Sequence, residues 1–323
     1  MPLAVWFLKT KIYFVTDIHG SDRCFRKFIN AGRFYKVDAL VLGGDITGKM
    51  IVPIVAQPDG TRKCEWGGDQ YVLKSKEEVE GMVATIKNSG YYPYLAELKD
   101  VEELSADPDR VKRLFKSLMK ESVAGWMRLA EERLKGSGTK CYVSPGNDDF
   151  FEIDDALNSS TYVVNPEEKV VDIDGEHEMI TLGYANHTPW NSPREVDEEV
   201  LGQKIEGMAS KVKNMGTAIY NTHVPPINTV IDQAPQLDAE LKPVTSAGHT
   251  MMTSAGSTAV RESIERHQPL IGIHGHIHEA LGKTKIGRTT CFNPGSEYNT
   301  GVLKGLVVEL DKDRIKSYMF TSG

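Results

Sequence analysis

Three histidines crowd into five residues of the chain, at His274, His276 and His278. They directly follow the apolar run Leu270 to Ile273, which is typical of a buried strand. Imidazole is the commonest side-chain metal ligand, and a turn after a strand can aim two of these rings at one point. A lone histidine would more often be packed in a core. Three together beside a glycine favour a metal site.

Oxygen-bearing side chains follow other apolar runs. Asp17 and His19 are two residues apart, so they would point to the same side of an extended chain. Asp45 and Asn147 follow two further runs. Carboxylate, amide and imidazole ligands without thiolate suit Mn²⁺, Fe or Zn²⁺, and two such ions about 3.5 to 4 Å apart can hydrolyse phosphate esters. Each aspartate alone could equally be a turn residue or a helix cap, so the prediction depends on the joint pattern.

The elements that must position these residues share one design. Each apolar run ends abruptly at a turn that contains Asp, Asn or His, and such runs predict strands covered on both faces. In α/β sheets, ligand sites gather beyond the carboxyl ends of the strands. The predicted strands are Ile12 to Val15, Ala39 to Leu42, Cys141 to Val143, Ala218 to Tyr220 and Leu270 to Ile273.

Two segments extend this framework. The insertion at about 48–139 is predicted to be largely helical, with a long helix that begins at Asp107 and Pro108 and turns or a hairpin over Pro58 to Asp69. The loop-rich segment at about 225–257 could overhang the site. Short strands over 170–182 and a hairpin over 303–320 predict a second sheet.

Composition excludes several classes of protein. The 323 residues carry 40% apolar and 26% charged side chains, which is typical of a globular protein, and a net charge of -7. A net negative charge argues against a protein whose main task is to bind long nucleic acid, because that binding depends on Lys and Arg.

Location and membrane association are predicted from two further features. The apolar stretch Pro2 to Leu8 is broken by lysines, and no run reaches the roughly 20 residues that span a bilayer. We therefore expect no export signal and no membrane anchor. The four cysteines are widely spaced, which predicts reduced thiols in a cytoplasmic protein.

Five motifs in chain order resemble those of the calcineurin-like metallophosphoesterase superfamily. They are Asp17-x-His19, Gly44-Asp45, Gly146-Asn147, His223 and Gly275-His276-x-His278. Each motif is common alone, but five in order at predicted strand ends are specific. The stretches His276 to Glu279 and Asn293 to Ser296 further resemble the Icc-like branch. The resemblance implies one α/β domain over residues 1–323, a four-layer α/β/β/α sandwich of two mixed sheets flanked by helices.

The resemblance also implies a dinuclear metal site. The first ion would be bound by Asp17, His19, Asp45 and His278, and the second by Asp45, Asn147, His223 and His276, so that Asp45 bridges them. The ions would be Mn, Fe or Zn, and Mn²⁺ is the ion that we expect to occupy the site in vitro. A water or hydroxide held between them would attack a phosphodiester or an activated phosphomonoester in line. The expected substrate is a phosphorylated small molecule or nucleotide.

One position departs from the family pattern. Many members have a histidine that assists the leaving group where this chain has Asp148. An aspartate beside two cations should stay ionised and donate protons poorly, which favours phosphodiesters over alkyl monoesters. Asp148 could instead be a turn residue.

His187 lies where an Icc-like loop approaches the metals and is a candidate substrate contact, with a turn residue as the alternative. Lys49 and Arg194 could contact phosphate or simply face solvent.

Other functions stay open at this point. The superfamily fold also serves as a non-enzymatic scaffold, for example in a retromer subunit that has lost metal-site side chains, whereas every inferred ligand is present here. A nuclease would use paired metals too, but the chain has no aromatic and basic stripe. A protein phosphatase or a cyclic-nucleotide phosphodiesterase also stays open. The substrate specificity of such an enzyme would depend on segments 48–139, 186–194 and 225–257, and no motif in these segments identifies a ligand.

Overall fold

A computed structural model describes residues 9–323 of the chain. The stretch Pro2 to Leu8, on which the expectation of no export signal depends, lies outside the described residues. Within the described part, no helix combines the length and the apolar character needed to cross a bilayer.

The described part of the chain contains nineteen strands and seven α-helices. The strands are β1 (Lys9–Val15), β2 (Ala39–Gly43), β3 (Ile51–Ala56), β4 (Arg62–Trp66), β5 (Asp69–Leu73), β6 (Tyr92–Ala96), β7 (Lys140–Ser144), β8 (Val170–Asp172), β9 (Glu178–Leu182), β10 (Ile219–Thr222), β11 (Gln233–Pro235), β12 (Thr245–Ser246), β13 (His249–Thr250), β14 (Met252–Ser254), β15 (Ile271–Ile273), β16 (Gly282–Ile286), β17 (Thr289–Asn293), β18 (Lys304–Asp311) and β19 (Arg314–Ser322). The helices are α1 (Asp22–Tyr35), α2 (Lys76–Asn88), α3 (Leu98–Ala106), α4 (Pro108–Leu134), α5 (Asp154–Leu157), α6 (Glu198–Ala209) and α7 (Thr258–His267).

Two mixed sheets contain all five predicted buried strands. The first sheet has the order β19-β18-β1-β2-β7, in which β1, β2 and β7 are parallel. The second has the order β16-β17-β15-β10-β9-β8, in which β9, β10, β15 and β17 are parallel. Antiparallel strands, including the predicted hairpin of β18 and β19, lie at the edges of both sheets.

The two sheets pack face to face. Side chains alternate along β1, so Ile12 and Phe14 pack with Ile271 and Phe292 of the second sheet in one buried cluster. Tyr13 belongs to a different cluster, which the first sheet forms with helices α1 and α4. Helices α6 and α7 cover the outer face of the second sheet. The predicted four-layer sandwich of two mixed sheets flanked by helices is thereby confirmed.

The insertion between β2 and β7 is part helix and part sheet. Helix α4 begins as predicted, with Asp107 accepting a 3.0 Å hydrogen bond from the Arg110 N–H and with Pro108 in the first turn. Strands β3 to β6 form a further sheet with the order β5-β4-β3-β6, so the prediction of a largely helical insertion is wrong for this part. The hairpin predicted over Pro58 to Asp69 overlaps the antiparallel pair of β4 and β5. Strands β4 and β5 escaped prediction because they are short and mostly solvent-facing, so their apolar pattern is weak. Strand β3 is apolar throughout but contains Pro53, which interrupts the pattern of a strand.

A buried histidine links the hairpin of β8 and β9 to the turn after β18. The Nδ1 of His177 lies 2.6 Å from Asp174 Oδ2, and its Nε2 lies 2.8 Å from the carbonyl oxygen of Lys312. Two acceptors require hydrogens on both ring nitrogens, so the ring is held as an imidazolium. Burial opposes this charge, but the Asp174 carboxylate raises the pKa of His177 above 6.5.

This contact predicts a pH-dependent contribution to stability. We expect His177→Gln to lower the free energy of unfolding by about 1.5 to 3 kcal/mol at pH 6 and by less at pH 9. The contribution is complete below the unfolded-state pKa and is lost as pH rises through the higher folded-state pKa. Urea unfolding at both pH values measures it, with the exposed His249 changed to Gln as the control. An equal loss at pH 6 and pH 9 would contradict the imidazolium.

Candidate metal centre

The metal-ligand candidates from both sheets meet at one edge of the sandwich. Each follows the carboxyl end of a parallel strand, and the two sheets present those ends on the same side. We use "metal centre" for these seven residues: Asp17 and His19 after β1, Asp45 after β2, Asn147 after β7, His223 after β10, and His276 and His278 after β15.

The backbone of this region is strained. Asp17, Asp45 and His276 have φ angles of 54°, 49° and 67°, in the left-handed region that side chains other than glycine rarely occupy. Two glycines explain the Gly-Asp and Gly-Asn motifs. A Cβ on Gly44 would lie 2.3 Å from His223 Nδ1, and one on Gly146 would lie 2.2 Å from Asp45 Oδ1. A side chain at either position would therefore push ligand candidates apart.

The first cluster of the centre is formed by Asp17, His19 and His278. Their ligand atoms all lie within 4.8 Å of one another. The Nε2 atoms of the two histidines are 3.0 Å apart, and His278 Nε2 is 3.4 Å from Asp17 Oδ1. The Asp17 carboxylate also accepts the backbone N–H of His276 at 3.0 Å, which ties this cluster to the second one.

The second cluster is formed by Asp45, His223 and His276, with the same limit of 4.8 Å between ligand atoms. His223 Nε2 lies 3.4 Å from Asp45 Oδ1. Asn147 joins this cluster, because its Oδ1 lies 2.8 Å from His276 Nδ1.

Asp45 faces both clusters at once. Its Oδ2 lies 3.6 Å from His19 Nε2 in the first cluster, while its Oδ1 faces His223 in the second. One carboxylate thus presents one oxygen to each group of ligand candidates, which is the arrangement that a bridging ligand requires.

Two divalent cations fit the chemistry of these side chains. His223 donates from Nδ1 to the Gly43 carbonyl oxygen at 3.0 Å, so Nε2 is the ring nitrogen that a cation would bind in place of a proton. That Nε2 is buried and lacks a hydrogen-bond partner within residues 9–323, as does His19 Nδ1. Burial and the Asp148 carboxylate raise the pKa of Asp45 to about 7, although His223 lowers it. A cation would satisfy the buried nitrogen and the carboxylate together.

Comparison with known proteins identifies the fold. No protein-family model matches the chain. The uncharacterized protein MJ1162 of Methanocaldococcus jannaschii is 34% identical over 152 residues, which are 46% of this chain and 61% of that protein. The chain therefore spans less than two thirds of the length of this relative.

Two solved structures align along nearly their whole length. One crystal structure covers 96% of this chain and 98% of its own, with a TM-score of 0.57 and 17% identity. The protein TT1561 of Thermus thermophilus covers 98% and 99%, with a TM-score of 0.53 and 13% identity. Identities this low establish a shared fold rather than an activity.

The chain shares its fold with these two structures, and this fold is the four-layer sandwich that the motif resemblance implies. The fold agrees with the resemblance of the five motifs to the calcineurin-like superfamily, and the narrower Icc-like resemblance stays a prediction. The clusters of the metal centre lie at the carboxyl ends of the strands of this fold, as the motif order predicts.

Asp148 adjoins the metal centre, because its carboxylate forms a third group of possible ligand atoms with His19 and Asp45, all within 4.8 Å of one another. It accepts hydrogen bonds from Ser192 Oγ at 2.5 Å and Asn147 Nδ2 at 3.2 Å, and it pairs with Lys49 Nζ at 2.8 Å. Burial opposes ionisation, but Lys49 and His19 lower the pKa of Asp148 to about 2. The sequence placed Lys49 among several possible phosphate contacts, whereas no pattern pointed to Ser192, which is 44 residues away from Asp148.

The neighbouring Asp149 joins the loops that follow β2 and β7. Its buried carboxylate accepts the backbone N–H groups of Ile46, Thr47 and Gly146 at 2.7 to 3.0 Å, and the Thr47 hydroxyl at 2.5 Å. The loop that carries Asp45 is thereby fixed to the loop that carries Asn147. Sequence reasoning missed this residue, because an acidic residue in a turn carries no signal of a distant partner.

The remaining candidates lie outside the two clusters. His187 is an exposed residue whose Nε2 lies 3.1 Å from Asp197, and it lines the cleft above the metal centre. His274 is packed with Nδ1 2.9 Å from the Thr222 carbonyl oxygen. Arg194 does not face a phosphate site: it is 2% exposed and donates from Nε to the Asp149 carbonyl oxygen at 2.8 Å. It supports the loop after β7 instead.

The four cysteines are free and buried. Among residues 9–323 they contribute to none of the candidate metal clusters.

Proposed function

We propose that this chain hydrolyses phosphate esters with the aid of two divalent cations, and that its substrates are phosphodiesters or activated phosphomonoesters. The observation that best supports the proposal is the position of Asp45, whose two oxygens face two separate clusters of histidine and aspartate. Cations bound to both clusters would lower the pKa of a water molecule and neutralise the phosphate oxygens.

The side chains divide the remaining tasks. The hydrogen bond from His223 Nδ1 to Gly43 fixes the ring so that Nε2 faces the carboxylates of Asp17 and Asp45. Lys49 lines the cleft beside the centre and is placed to contact a phosphate oxygen. Asp148 pairs with that lysine, and Ser192 donates a hydrogen bond to Asp148. Asp148 therefore acts by positioning Lys49, since an ionised carboxylate cannot protonate a leaving group.

The substrate that we propose is a small phosphorylated molecule or a nucleotide. The acidic net charge of -7 supports this choice over a long nucleic acid, whose binding would need many basic contacts. Cleavage of DNA or RNA at low salt, at rates above those for small diesters, would favour a nuclease instead.

Metal-dependent hydrolysis tests the proposal. Protein stripped with a chelator and reloaded with Mn²⁺, Fe or Zn²⁺ is assayed against a panel of monoesters and diesters. We expect activity to disappear on chelation and to return with at least one metal, Mn²⁺ being our first choice. Bound metal without turnover across the panel would contradict the proposal and favour a scaffold.

The substitution Asp148→His tests the ester preference. We expect the parent to hydrolyse bis(4-nitrophenyl) phosphate at least about tenfold more efficiently than an alkyl monoester, and the variant to narrow that ratio because an imidazole can donate a proton. Asp148→Asn is the matched control, since it removes the charge without supplying an imidazole. A parent that prefers the alkyl monoester would overturn the proposed specificity.

A further inference from the structure

A cleft of about 920 Å³ opens from the metal centre. Asp45, Asn147, His276 and His278 belong to both, so a phosphate at the centre would lie at one end of the cleft. The volume is near the top of the range of about 300 to 1,000 Å³ that is usual for pockets holding drug-sized ligands. A phosphate group alone would fill only a small part of this volume.

Part of the wall comes from a flap, by which we mean residues 233–254. Strand β11 pairs with β14, and β12 pairs with β13, so the flap is a folded hairpin structure rather than a loose loop. Asp232 fixes its base, because its buried carboxylate accepts the backbone N–H groups of Asn228, Thr229 and Gly256. The flap therefore holds its side chains at a defined position beside the cleft.

The flap and the loop that follows β9 contribute both polar and apolar side chains to the wall, and five of the apolar ones form the part that we call the apolar wall. These five are Trp190, Pro235, Leu237, Leu241 and Pro243. Trp190 is 64% exposed and Leu241 is 46% exposed, although both are large apolar side chains. Covering such side chains with an apolar ligand group is favourable, and an indole ring is well suited to contact a flat ring.

The charge of the cleft limits the ligand further. Among the described residues that line it, Lys49 is the single lysine or arginine, and it lies at the end next to the metal centre. A polyphosphate or a nucleic acid strand would need cations along its length. The cleft fits one phosphate group at the centre with an uncharged group beyond it.

We propose that the apolar wall binds an aromatic group esterified to the phosphate, so that the natural substrate is an aromatic or heteroaromatic phosphate ester. The inference rests on the proposed phosphoesterase function, because it assumes that the phosphate lies at the metal centre. In this arrangement the flat ring of the substrate packs against Trp190 and is covered by Leu241 of the flap.

Binding of two phosphonates tests this assignment without turnover, since a carbon–phosphorus bond resists hydrolysis. We compare benzylphosphonate with methylphosphonate by calorimetry on the Mn²⁺-loaded protein. Burial of a phenyl ring predicts an affinity at least about tenfold higher for benzylphosphonate. In Trp190→Ser and Leu241→Ser the preference should fall to about threefold or less, with the affinity for methylphosphonate unchanged.

Val230→Ser is the matched control, because Val230 is 63% exposed just before the flap but does not line the cleft. It should retain the full preference, and melting temperatures show that each variant is folded. Equal affinities for the two phosphonates in the parent, or binding of neither, would overturn the proposal. If the protein hydrolyses esters but does not prefer benzylphosphonate, only this inference is wrong. If it prefers benzylphosphonate but hydrolyses no ester with any metal, only the proposed function is wrong.

Discussion

Replacing Asp45 with asparagine should abolish the dinuclear site and nearly all turnover. The carboxylate faces His19 with one oxygen and His223 with the other, so it is the one side chain that both proposed ions share. An amide lacks the negative charge, and its nitrogen cannot act as a ligand. We expect the metal content to fall from two equivalents to one or none, and kcat/KM on a diester to fall at least about 10³-fold, or ~4 kcal/mol.

Elemental analysis after dialysis, together with the hydrolysis assay, measures both effects. Asp59→Asn is the control, since Asp59 lies in an exposed turn of the insertion and should not change either quantity. If Asp45→Asn retained two equivalents of metal and activity within tenfold of the parent, Asp45 would not be the bridging residue.

Asp149→Ala should cost more stability than most single substitutions. The change removes four hydrogen bonds and leaves three buried backbone N–H groups without their acceptor. Each unsatisfied buried group costs about 1 to 3 kcal/mol, so we expect a loss of roughly 3 to 6 kcal/mol in the free energy of unfolding. Native domains have only about 5 to 15 kcal/mol in total. Denaturant unfolding measures the loss.

Two further variants make this prediction specific. Thr47→Val removes only the hydroxyl contact to Asp149 and should cost about 1 kcal/mol. Asp155→Ala, at a side chain that is 91% exposed, should change stability by less than about 0.5 kcal/mol. A loss for Asp149→Ala no larger than that for Asp155→Ala would show that the four contacts do not hold the loops together.

The ligand candidates could be predicted from the sequence because each immediately follows a strand that is visible as an apolar run. Local pattern therefore located Asp17, Asp45 and His223, and the parallel strands of two facing sheets bring those positions to one edge. Within each sheet the carboxyl ends of neighbouring parallel strands always lie on one side. That the two sheets bring these ends together is predicted from the family resemblance, not from the local pattern.

The surroundings of the centre could not be predicted in the same way. The contact between Asp149 and Thr47 joins residues 102 positions apart, and Ser192 reaches Asp148 from another loop. Such contacts depend on tertiary structure and leave no periodic signal. The insertion shows the same limit, because its helix α4 has a clear cap and stripe whereas the edge strand β5 is mostly exposed.

Anomalous diffraction from crystals of the Mn²⁺-loaded protein tests the central claim most directly. We predict two peaks about 3.5 to 4 Å apart, with the Asp45 carboxylate between them and the two histidine clusters on either side. A single peak, or peaks away from His19 and His223, would contradict the dinuclear centre.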